Sequence, residues 1–389
     1  MYQKTTQRKS IQVNTPDRNA CFKRKLNKPQ LPQSSTGTDK NGEYSEASLY
    51  RIEPLRNLDL ESTQPIKIRP FKPKYHLTMG PSFSCTYSRI ANLTFSHAAI
   101  ENIGISDLIV MDSTYKSRTA LRRSLISDHS SDVLALNPII EPSVLEFYTW
   151  ITSIYLPTRF PTVFALSPST RSLRNLATHQ DIPLTPSSAR QALEILGENV
   201  DNDFLFLLPT AEEGKYRLEG FVTCFPSGFN TAQKLGLKLA DIHRPVPGYA
   251  AKLEKSMDRF FASLPVGRIV RRVNWTVTTH ARLFCLSGNH TNVEEAAQLE
   301  EQEREEWDVR DAVLRCERQT LHRLPGTGAL VFAFKTYQYP LQEVKDEGSG
   351  EELAKAIEGM GEGSVPEMRI YKNAAVWGER VCRFLRGQD

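Results

Sequence analysis

The stretch LADIHRPVPGY, residues 239–249, sets a single histidine, His243, just ahead of two prolines. An imidazole titrates near neutral pH and offers one nitrogen lone pair to a proton or a metal. Each proline locks its own φ and pushes the residue before it, here Arg244 and Val246, toward extended geometry. A stiff, non-helical strut after His243 therefore restricts the direction of the ring. Two readings stand at this point: a core histidine, or the single protein ligand of a metal or haem.

A second concentration of chemistry lies in RCERQTLHRLP, residues 315–325. Read as a helix, it puts Leu314, Glu317 or Arg318, and Leu321 on one side, so that Glu317 or Arg318 turns partly inward. The plain interpretation is a structural ion pair. The functional one is an arginine holding a carboxylate or phosphate by paired hydrogen bonds. In RRVNW, residues 271–275, Arg272 and Asn274 are polar groups on a strand-like segment, facing either solvent or a cavity.

Other chemistries find no support. There is no P-loop, GxSxG or HExxH, and GMGEG near residue 360 has no strand before it. The six cysteines (21, 85, 224, 285, 316 and 382) are scattered without a CxxC pair, which argues against structural zinc, an iron–sulfur cluster and a disulfide framework. A reducing compartment follows.

These groups must be positioned by a soluble globular body. The chain has 389 residues, 40% hydrophobic and 24% charged, without the long apolar run a membrane span requires. Residues 1–65 hold 11 Lys/Arg against 7 Asp/Glu, which accounts for the net charge of +4. They are polar and aperiodic, so they are expected to form a disordered basic tail. Eight Lys/Arg with Asp17 as the one acid in the first 38 residues resemble a mitochondrial presequence in charge but show no amphipathic face. A cytoplasmic location is expected, with a mitochondrial one as the alternative. The body carries no basic stripe with interleaved aromatics, which excludes nucleic acid as a partner.

Within the body, SDLIVMDSTYKSRTALRRSLI and VLEFYTWITSIYLPTRFPTVF read as helical regions, the second ended by Pro157. YRLEGFVTCF, RIVRRVNWTVTTHARLF and GALVFAFKTYQYPL alternate as strands, and GYAAKLEKSMDRFFASLP is an amphipathic helix. Strands separated by helices, without regular βαβ units, give an α+β fold with a largely antiparallel sheet. The domain expected is residues 66–344, with an atypical insertion at 82–105 and an acidic flexible or helical insertion at 290–308. The segment from Val293 to Leu324 has neither Pro nor Gly and carries nine acids between Glu294 and Asp311. Residues 345–389 read as a Gly-rich acidic linker and a helical tail, free to dock or to stay separate.

The ordered series RPFKPKYHLTMG, MDSTYKSR, YLPTRFPTVF, CFPSGF with KLGLKLADIHRPVP, RRVNW, and RCERQTLHRLP followed by ALVFAFKTYQYPL resembles the haem-dependent oxidative N-demethylase α-subunit family, in a fungal-type version. The resemblance covers roughly residues 66–342. It implies a PAS-like haem domain that demethylates small methylamines such as dimethylamine with oxygen, its electrons coming from NADPH through flavin and iron–sulfur partners that this chain does not itself bind. It implies His243 as the axial ligand of the haem iron. Arg272, Asn274, Glu317, Arg318 and Arg323 fall on the propionate anchors and the polar side of the pocket, with Glu317 and Arg318 as the catalytic pair and Glu317 a candidate holder of the amine as ammonium. Two departures stand out: Pro81 and the stretch to about Ile105 interrupt the family's TMG-to-MD spacing, and a reductase has to be a separate polypeptide. A non-catalytic haem or small-molecule sensor on the same domain is the rival interpretation.

Overall fold

The strand segments owe their pairing to alternation of apolar and polar residues, which lets both faces of a central sheet be buried against different partners. The computed structural model describes residues 51–74, 93–94, 100–290 and 307–388. Its main sheet uses β1 (Glu101–Ile103), β2 (Leu134–Leu136), β6 (Asp203–Pro209), β7 (Tyr216–Val222), β8 (Ile269–Thr278), β9 (Val313–Arg323) and β10 (Leu330–Pro340). They lie in the order β1-β8-β9-β10-β6-β7-β2, each pair antiparallel. A smaller antiparallel sheet joins β3 (Phe164–Ser167), β4 (Ser172–Asn175) and β5 (Gln180–Pro183). The class is α+β, as the sequence pattern indicates.

One face of the main sheet is covered twice over. At the β6–β10 end, Phe204, Phe206, Val331 and Ala333 pack against α1 (Tyr115–Asp128), α2 (Glu141–Trp150) and α3 (Ala189–Asn199) through Tyr115, Phe147 and Leu193. At the β8–β9 end, Val273, Trp275, Leu314 and Cys316 pack against Leu353, Ile357, Trp377 and Val381 of the C-terminal helices. The opposite face is closed at one end by the helix after the proline segment, where Tyr249, Leu253, Met257 and Phe261 meet Val270, Leu321 and Leu330. The rest of that face is polar and forms the candidate site.

Three expectations change. Residues 315–323 are the strand β9 and not a helix: buried on both faces between two long partners, the segment gains more from two ladders of hydrogen bonds than from its helix-compatible composition. The helical run at 141–159 passes through Pro157 to Arg159 by way of a π-helical turn, Ile151–Tyr155, because Pro157 stands in the first turn of the next helical piece, where no N–H is needed. Residues 51–65, placed in a disordered tail, are ordered. Leu58 is buried in the core, Leu55 N donates to Arg159 O at 2.7 Å, and Ser113 N donates to Thr63 O. Of the two alternatives for the C-terminal segment, docking is the one seen: residues 345–388 form a wall of the sheet's apolar face. The remainder of the basic tail, most of the 82–105 insertion and the acidic stretch at 291–306 lie outside the described residues. Among the described residues no helix is long and apolar enough to cross a membrane.

Candidate functional site

Directly paired residues on antiparallel strands point to the same side of a sheet. Arg272, Asn274 and Thr276 of β8 are paired with Gln319, Glu317 and Arg315 of β9, so all six share the polar face. There they form a relay: Arg272 Nε donates to Gln319 Oε1 at 2.6 Å, and Gln319 Nε2 donates to Glu317 Oε2 at 2.9 Å. Glu317 is only 8% exposed. Lys372, arriving from the C-terminal segment, donates to Asn274 Oδ1 at 3.3 Å and to the Trp275 carbonyl.

His243 ends the helical turn α4 (Leu239–Ile242) beside this face. The prolines after it do not form an extended strut. Val246 N donates to His243 O, Tyr249 N donates to Val246 O, and Gly248 takes φ +72°, which a side chain would resist. The segment thus folds back as consecutive turns into the π-helical turn Tyr249–Leu253, a feature frequent at functional sites. This return lays the Tyr249 ring on the His243 ring, centroids 4.7 Å apart and planes 11° from parallel. The prolines still aim the imidazole, by turning the chain back onto it.

His243 Nδ1 lies 2.8 Å from Leu239 O. A carbonyl only accepts, so Nδ1 carries the hydrogen and Nε2 keeps its lone pair. Burial, with Arg272 and Lys234 nearby, holds the imidazole down to about 4 against the opposite pull of the Leu239 carbonyl. The ring is therefore neutral at physiological pH, half-buried, and ready to donate an electron pair.

Neighbouring groups share these surroundings. Burial pushes Lys234, whose ammonium lies 4.0 Å from the Phe229 ring centre, down to about 8 despite Glu317. Burial likewise brings Lys372 to about 8. His290, whose ring lies 4.7 Å from that of Tyr371 and tilted 38° to it, is held at about 3 by burial and by Lys372 and Lys234. A Cβ on Gly228, at φ +78°, would stand 2.9 Å from both Asn289 N and His290 Nδ1, so this glycine lets the Asn289–His290 segment approach closely.

His243, Arg272, Asn274 and Glu317 thus come together, whereas two other candidates do not join them. Arg318, which the resemblance places in the pocket with Glu317, alternates to the opposite face, where its guanidinium donates to the carbonyls of Asp107 and Leu108; on a strand, neighbours in sequence point to opposite sides. Arg323 is committed to the carbonyls of Leu264, Gly328 and Phe261 and to Tyr216 Oη, and so locks the end of α5 (Glu254–Ser263) to the sheet. Lys234, Gln319, His290 and Lys372 went unnoticed in the sequence. Strand alternation would have found Gln319; the others come from distant loops and leave no local signal.

A haem is a fair guest for this arrangement. Among the described residues no three His, Cys, Asp or Glu side chains converge as a bare metal ion requires. The lone pair on Nε2, the carbonyl anchor on Nδ1, and the cations Arg272 and Lys234 beside the ring suit an imidazole-bound iron with anionic propionates.

The family model described as "Haem-dependent oxidative N-demethylase, alpha subunit-like" matches residues 99–382. The match includes the polar-face residues of β8 and β9, His243 and Lys372. The chain belongs to the haem-dependent oxidative N-demethylase, alpha-subunit-like family.

Proposed function

We propose that this chain is a haem-carrying oxidoreductase that removes a methyl group from a small methylamine such as dimethylamine, with His243 as the protein ligand of the iron. The overall balance takes the methylamine, one oxygen molecule, two electrons and two protons to the demethylated amine, formaldehyde and water. The observation that carries the reading is the tautomer of His243, a neutral imidazole with Nδ1 anchored on Leu239 O and Nε2 available, beside the polar face of β8 and β9. Haem, when bound, would supply redox-active iron chemistry with oxygen. Arg272 and Lys234 hold anionic edges of the cofactor next to the histidine. Asn274, Gln319 and Glu317 form the polar wall against which a small substrate is oriented. The antiparallel sheet with α4 and α5 on its pocket face supports a PAS-like arrangement. The two electrons come from NADPH through a separate flavin and iron–sulfur reductase.

The test is the absorbance of purified protein after haem addition. A Soret band that His243→Ala removes supports the ligand assignment, and a band unchanged by that substitution overturns it. Amine-dependent oxygen consumption with a competent reductase marks an enzyme. Haem binding with no turnover of any methylamine favours a sensor.

A further inference from the structure

Glu317 stands on the polar face of β9 among basic side chains, yet it pairs with none of them. Among the described residues its carboxylate accepts a hydrogen bond from Gln319 Nε2 at 2.9 Å and makes no ion pair. Two cations reach the same part of the face, and each is met by an amide. Arg272 Nε donates to Gln319 Oε1 at 2.6 Å, and Lys372 Nζ donates to Asn274 Oδ1 at 3.3 Å. Gln319 lies two residues from Glu317 on the same strand, and Asn274 is the direct cross-strand partner of Glu317. Each cation therefore ends on an amide that neighbours the carboxylate, one side chain short of it.

Reach alone would allow a direct pair. Arg272 is opposite Gln319 and Asn274 is opposite Glu317, so Arg272 and Glu317 are diagonal neighbours on one face. Diagonal neighbours stand about 7–8 Å apart, within the span of long side chains. With Glu317 only 8% exposed, opposite charges at that range attract more strongly than they do in water. What keeps the two apart is the chemistry of the group between them. A guanidinium can only donate and an ionised carboxylate can only accept, so the joining group must accept at one end and donate at the other. The glutamine amide does both, and this fixes its orientation. Glutamate at 319 would have no hydrogen to give, and methionine of similar length would have no donor at all.

We infer that Gln319 is a positioning residue that holds Arg272 and Glu317 apart, and that Asn274 does the same for Lys372. The polar face then presents separate positive and negative groups to a guest, where a closed ion pair would present neither. The use of this separation rests on the proposal above that Arg272 meets an anionic edge of the cofactor: an arginine already closed on Glu317 has little charge left to offer a propionate.

The direct test is a double-mutant cycle in urea on the full chain without haem, combining Arg272→Met with Glu317→Gln. In the parent the coupling between them is expected to stay within about twofold in the unfolding constant. In a Gln319→Met background, where the pair can close, it should reach about tenfold or more. A coupling in that background no larger than the parent's overturns the inference. Should Gln319→Met fail to fold, Asn274→Leu carries the same test with Lys372→Met in place of Arg272→Met, and is read the same way. Haem titration adds the functional arm. Gln319→Met should weaken haem binding by about tenfold, and adding Glu317→Gln should restore it, because Arg272 then has no carboxylate to turn to. A general packing defect would not be repaired by a second substitution beside it. Unchanged affinity in Gln319→Met, or a loss that Glu317→Gln leaves in place, overturns the positioning role. If the parent itself binds no haem, the haem proposal fails alone, and the urea cycle still decides the charge separation.

Discussion

The His243 ring stacks on the Tyr249 ring at 4.7 Å, with its Nδ1 held 2.8 Å from Leu239 O. The two contacts come from opposite directions along the chain, one turn before the histidine and one turn after the prolines. Between them they leave the imidazole one orientation and one tautomer. Groups that orient a metal-binding histidine are typically worth about 10–100-fold in affinity. Tyr249→Leu is therefore expected to weaken haem binding by about that factor while a Soret band persists. Tyr249→Phe, which keeps the stack and loses only the contact to Met257 Sδ at 3.4 Å, should restore it. Haem titrations of the two variants check the pair.

Arg318 sits one residue from Glu317 yet on the other side of β9, 2% exposed, tied to the carbonyls of Asp107 and Leu108. Arg318→Met leaves buried carbonyls without their charged donor, which costs about 2–3 kcal/mol. Chemical denaturation should show that loss. The haem spectrum and amine affinity of the variant should match the parent's, because nothing on the recess face has moved.

This contrast shows what could be read without coordinates. The strand reading of GALVFAFKTYQYPL and RIVRRVNW holds because runs rich in Val, Phe, Tyr and Trp carry the strand signal in their own residue types. VLRCERQTLHR hides its state, since its charged, helix-compatible residues mask a doubly buried strand, and Arg315, Arg318 and Arg323 find their partners on distant elements. The histidine was visible because the prolines beside it are local. The recess it faces was not, because Lys234, His290 and Lys372 reach it from segments far apart in the chain.

The C-terminal helices α6 (Leu341–Asp346), α7 (Gly350–Glu358) and α8 (Ala374–Leu385) belong to the core. Leu353, Ile357, Met360, Met368, Trp377, Val381, Phe384 and Leu385 are all buried. At about 2 kcal/mol for each apolar side chain returned to water, their exposure rivals the whole ~5–15 kcal/mol that keeps a domain folded. A chain ending at Lys345 should be insoluble or lack a cooperative thermal transition. A soluble truncated chain with a sharp transition and normal haem binding would show the tail to be separable after all.

Lys335 lies in the interior on β10, its Nζ 2.8 Å from Asp112 Oδ2 and 3.2 Å from Asp201 Oδ2, with Val110 O accepting at 3.1 Å. All three charged side chains are almost wholly buried. Removing one member of such a set strands the others, at a cost of about 3–5 kcal/mol. Lys335→Met should lose that much stability in urea. Restoration of most of the loss in the triple change Lys335→Met, Asp112→Asn, Asp201→Asn would show that stranded charge is the cause.

Acid should weaken the fold through its buried histidines. Burial holds His322, which is 2% exposed, at about 3, and His243 and His290 at about 4 and 3. In the unfolded chain each takes its proton near 6.5. Below that pH the unfolded state binds protons that the folded state refuses, so stability is complete above about 6.5 and falls as the pH drops toward 4. For a fully buried histidine the slope approaches about 1.4 kcal/mol per pH unit. Denaturant midpoints taken at pH 7.5, 5.5 and 4.5 should decline steadily, and His322→Leu should make that decline shallower by about one histidine's share. An equal slope in the variant would assign the acid sensitivity to other groups.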